Sequence, residues 1–98
     1  MKMNTYILED HKLILESDII IWAKWMASTK NTVCKIRKGN ITVSTVFLGI
    51  DHNFTGGEVP ILFETMVFGG RHDQLQQRCS TWEQACAQHI DVCAKVFG

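Results

Sequence analysis

The sequence has a single proline, Pro60, a single tyrosine, Tyr6, and no excess charge of either sign. Ten basic residues balance ten acidic ones. That balance weakens any whole-chain electrostatic case for nucleic acid or an anionic membrane as partner. Long apolar runs are missing as well. The longest near the start, Ile19 to Ala23, falls far short of the ~20 residues that cross a bilayer. The opening Met1-Lys2-Met3-Asn4-Thr5-Tyr6 has none of the apolar core of a secretory signal. The expectation is a cytoplasmic protein with reduced thiols. Its four cysteines, 34, 79, 86 and 93, include no pair at zinc-knuckle spacing. No phosphate-binding loop or cofactor fingerprint occurs, so neither a metal nor a cofactor is expected, and an enzyme is the weaker reading.

What is present is an ordinary globular composition, 46% apolar and 20% charged over 98 residues. That suits one domain spanning 1–98, with one core. Tyr6–Leu8 and Lys12–Leu15 flank the polar Glu9-Asp10-His11 and predict a hairpin. Ser17 is placed to cap a helix from Ile19 to about Thr29, whose apolar residues 19, 22, 23 and 26 follow helical spacing. Val33–Arg37 reads as an edge strand before a Gly39-Asn40 turn. Ile41–Ile50 and Ile61–Phe68 are β-branched and aromatic, and predict the central antiparallel hairpin. Gly56-Gly57 between them reads as a turn, with no following helix to make a phosphate cradle. Arg71–Cys79 is polar and reads as a loop. A second helix opens at Ser80-Thr81, where Ser80 with Glu83 or Thr81 with Gln84 fits a capping box. Its apolar face is 82, 86, 89, 93 and 97. The order is ββαβββα, an α+β fold with a mainly antiparallel sheet of four to five strands and two helices.

Val43-Ser-Thr-Val-Phe-Leu-Gly-Ile-Asp-His52, Leu62-Phe-Glu-Thr-Met-Val-Phe-Gly-Gly70 and Ser80-Thr-Trp-Glu-Gln-Ala85 with His89 resemble a group of small proteins that recur in bacteriophages and mobile elements. The Tyr6-Ile-Leu hairpin and Trp22-Ala-Lys-Trp25 are similar too, and Lys30–Asn40 is the least similar part. The resemblance implies an accessory protein working by contact with host or phage proteins, counter-defence inhibitors among them. It transfers no catalytic residue.

Four constellations could carry chemistry. Glu64 is the one charge in an apolar strand and needs a partner if buried. With Asp51, His52 and His89 it makes a candidate polar site for a small ligand or a hydrolytic reaction; the structural alternatives are a Glu64 on an open sheet face, or a Glu64–His89 pair that meets beneath the second helix and serves stability first. Cys86-x-x-His89-x-x-x-Cys93 shares one helix face, which is also the core face, so packing outweighs metal binding. Lys30, Lys35, Arg37 and Lys38 form a basic patch. It could meet phosphate, but no aromatic residue is interleaved for base stacking, and solvated edge protection is the simpler reading. Ile21, Trp22 and Trp25 are candidate interface anchors; the equal alternative is that Trp22 and Trp25 both lie in the core, with the helix covered on two sides. Both faces of the central hairpin and two sides of the first helix are apolar, so a symmetric homodimer is expected.

Overall fold

A computed structural model describes residues 4–55 and 57–98. Met1–Met3 and Gly56, with the readings that fall on them, lie outside the described residues. The elements run β1 (Tyr6–Glu9), β2 (Lys12–Leu15), α1 (Ile19–Ser28), β3 (Thr32–Lys38), β4 (Ile41–Phe47), β5 (Phe63–Phe68), β6 (Gln76–Cys79) and α2 (Trp82–Phe97). The fold is α+β. A four-stranded antiparallel sheet has the order β3-β4-β5-β6, and β1-β2 form a separate hairpin.

β6 corrects the expectation of a loop over Arg71–Cys79. Gln76-Gln77-Arg78-Cys79 has no apolar alternation, yet it pairs with β5 from Phe63↔Cys79 to Met66↔Gln76. The α1 cap is also one residue later than expected. Asp18, not Ser17, accepts hydrogen bonds from the Ile20 and Ile21 amides. At α2 the Thr81–Gln84 alternative forms the capping box. β4 stops at Phe47 because Gly49 takes a left-handed φ of +78°. A Cβ there would meet the flexible end of the Met26 side chain, 2.7 Å from Sδ, so it is the left-handed φ that calls for glycine.

The alternation of β4 and β5 decides which face is interior. Val43, Thr45, Phe47, Phe63, Thr65 and Val67 are buried, and α2 covers them with Ala85, His89 and Val92. Phe47, Leu62, Phe63 and Ala85 form one core cluster, against which Tyr6, Leu8, Leu13, Trp25, Met26 and Trp82 pack. Val43, Val67 and Val92 form a second, with Leu75, Val96 and Phe97 around it. The hairpin and α1 therefore lie on the same side as α2. They are tied to the sheet by the Thr5↔Ile50 bridge, by Tyr6 N–H donating to Gly49 O at 2.7 Å and by the Trp22 indole N–H donating to Tyr6 O at 3.1 Å. At its tip His11 stacks on Trp82, with ring centroids 3.8 Å apart.

Candidate functional site

The expected polar site is not assembled. Glu64 lies opposite Val46, on the face away from α2, and its neighbour across β6 is Arg78. Its carboxylate accepts from Arg78 Nε at 2.9 Å and from the Gln76 side-chain amide. The expected contact between Glu64 and His89 is thus corrected: the two are on opposite faces of the sheet. The odd-numbered residues of β5 face the helix, because Phe63 and Val67 supply the core and Glu64 shares parity with Met66 and the exposed Phe68.

Asp51 and His52 serve the loop that joins β4 to β5. Asp51 Oδ1 accepts from the Asn53 amide at 2.8 Å and the Ile61 amide at 2.9 Å. His52 exchanges a 2.8 Å bond from its amide to Ile61 O, and its Nδ1 lies 2.7 Å from Ile50 O. Asn53 donates to Val59 O and accepts from Thr55. The Asp51-His52-Asn53 string thus satisfies backbone groups that a long loop leaves open. Among the described residues, no three His, Cys, Asp or Glu side chains converge as a metal site would require.

His89 belongs to a different construction, which the sequence reading missed. Its Nδ1 lies 2.7 Å from Thr45 Oγ1, which lies 2.7 Å from Thr65 Oγ1. Gln88 Nε2 donates to Thr65 Oγ1 at 2.9 Å and to Gln77 O at 3.1 Å. One direction uses every hydroxyl proton: Gln88 to Thr65, Thr65 to Thr45, Thr45 to a neutral His89. Burial holds the His89 imidazole below its ordinary pKa, consistent with that direction. Both threonines are fully buried and His89 is 6% exposed. The chain is closed to substrates and fastens α2 to the sheet. Its sequence signal was a threonine at each of two inward positions of otherwise apolar strands.

The basic patch divides. Lys35 and Arg37 pair with Ser44 and Thr42 and share the face away from α2. Lys38 turns to the helix side, its ammonium 5.2 Å from the centre of the Phe97 ring. Lys30 lines a cleft of about 320 Å³ with Asp10, His11, Trp25, Asn31 and Trp82.

The interface candidates divide as well. Trp22 and Trp25 are half-buried, Trp25 standing edge-on to Phe47 at 5.9 Å. Ile21 is exposed, and it is not alone. Ile14, Leu15, Ile19, Ile20 and Ile21 are each between 39% and 61% exposed, with Asp18 exposed among them and Glu16 half-exposed. Compared with protein-family models, curated proteins and solved structures, the chain finds no match.

Proposed function

We propose that the chain is a protein-binding module, and that the aliphatic surface of residues 14–21 is what it binds with. The supporting observation is the first turn of α1. Three successive isoleucines follow the Asp18 cap, all more than half exposed, and the turn contains no acidic residue. Isolated helix physics favours the reverse. β-branched residues are poor helix formers, and acidic residues there would suit the helix dipole. A local rule broken on the surface, with no gain in packing, points to use by a partner. The fitting partner is a protein with an apolar groove whose rim carries cations for Glu16 and Asp18.

The resemblance supplies the setting of this reading: an accessory protein of a phage or mobile element, acting in the host cytoplasm on a host or phage protein, as counter-defence inhibitors do. No helix among the described residues is long and apolar enough to cross a membrane. The ligand-binding or hydrolytic alternative is weakened, since Asp51, His52, Glu64 and His89 each have a separate structural partner. The test is affinity capture from host lysate with wild-type and Ile20→Glu baits. A partner held by the first and released by the second supports the reading. Equal capture by both overturns it.

A further inference from the structure

The face of the sheet away from α2 carries an arrangement that no sequence window contains. In register across three strands, Arg37 stands beside Thr42 and Thr42 beside Phe68. The next row runs Lys35, Ser44, Met66, Gln76. Phe68 is 44% exposed. Lys35, Arg37, Thr42, Ser44 and Phe68 line a shallow depression of about 390 Å³. The hairpin, α1 and α2 all pack on the opposite face.

From this placement we infer that the open sheet face binds single-stranded nucleic acid. The charge balance of the whole chain hides a local separation. Neither Lys35 nor Arg37 has a carboxylate partner among the described residues, while the acid on this face, Glu64, is bridged to Arg78. Arg37 is steadied by its Nε donating to Gly39 O at 3.0 Å, which leaves the outer guanidinium nitrogens to face a ligand. Lys35 and Arg37 are two residues apart on one strand, roughly 6.8 Å, a distance on the scale of successive phosphates. The Thr42 and Ser44 hydroxyls lie between the cations and the ring and can donate to phosphate or sugar oxygens. Phe68 supplies the stacking surface whose absence from Lys30–Lys38 counts against this ligand in the linear sequence. The open sheet face offers no helix for a duplex groove, and an exposed ring stacks only on a base that is already unpaired. The inference uses none of residues 14–21 and stands apart from the protein-binding reading.

The test is fluorescence anisotropy of a labelled oligouridylate of about ten residues, a length within the range one such platform accommodates. Arg37→Glu and Phe68→Ala change exposed side chains, and Lys95→Glu on the exposed side of α2 is the control. Binding is expected below about 100 µM protein, the weak end of non-specific affinity. It should weaken about tenfold in Phe68→Ala with the salt slope unchanged. In Arg37→Glu it should weaken with a shallower slope between about 50 and 200 mM salt. Lys95→Glu should bind as wild type does. Absence of binding, equal binding of the matching duplex, equal binding of an acidic peptide, or indifference to both variants would each overturn it.

Discussion

Thr45, Thr65, Gln88 and His89 form one directed chain, so removing a member strands the next. Thr45→Val keeps the volume but takes away the donor to His89 Nδ1 and the acceptor for Thr65. A buried polar atom left unpartnered costs about 1–3 kcal/mol, so urea denaturation should show a loss of that size. The pH dependence follows from the same geometry. His89 titrates below its ordinary 6.5 in the folded protein, because burial disfavours the imidazolium. The unfolded chain therefore binds the proton more readily. Stability from neutral His89 is complete above about 6.5 and is lost as pH falls through the lower folded value. The stability gap between wild type and His89→Leu should then narrow between about pH 7.5 and pH 5; a gap that widens would contradict the neutral assignment. The thiols divide by similar logic. Cys34 is exposed, whereas burial pushes the Cys79 and Cys93 thiols up. Mass spectrometry after brief alkylation near neutral pH should find label on Cys34 first.

At the scale of elements, both helices, the N-terminal hairpin, the central strand pair and the edge strand β3 are legible in the sequence, whereas the edge strand β6 is not. Ile41–Phe47 and Phe63–Phe68 announce themselves through β-branched and aromatic residues, and their two-residue period separates the faces correctly. Parity alone did not say which face α2 covers. Met66 and Phe68 look as apolar as Phe63 and Val67, and only the threonines and the flanking polar strands distinguish the two sides once the sheet is assembled. β6 was unreadable for a related reason. An edge strand exposed to water has no apolar face to advertise, and it is held by pairing plus the Glu64–Arg78 bridge, whose side chains are 13% and 39% exposed. Glu64→Ala should consequently cost only about 0.2–1 kcal/mol, as a cross-strand pair does, and not the several kcal/mol of a broken buried pair. A Tm loss comparable to that of Thr45→Val would show that Glu64 bears more of the fold than its position implies. The α1 terminus gives an opposite sign. Ile20→Glu places an acid in the first turn, behind the Asp18 cap. Compared at dilutions where both proteins are single chains, so that lost self-association does not enter, it should raise stability by about 0.3–1 kcal/mol, while removing the aliphatic contact.

The whole molecule is more open than its size requires. Its Cα radius of gyration is 14.2 Å, against ~13 Å for a compact chain of 100 residues. Its accessible surface is 6380 Å² for 11.2 kDa, where a compact monomer of that mass exposes about 5,700 Å². Residues 14–21 present five exposed aliphatic side chains. A net charge of zero sets no long-range repulsion against a second copy near neutral pH. The expectation of a homodimer rests on two apolar sheet faces and two apolar sides of the first helix, but the face away from α2 is largely polar, with Lys35, Arg37, Thr42, Ser44, Glu64 and Arg78 upon it. The case for self-association now rests on the α1 end. We expect a two-fold dimer in which Ile19, Ile20 and Ile21 meet their copies, a second chain covering the surface until a partner displaces it. Light scattering should return twice the 11.2 kDa chain mass for wild type and the single mass for Ile20→Glu. A wild type that scatters as one chain would leave the surface to a different protein. A dimer that survives Ile20→Glu would put the two-fold axis somewhere other than α1.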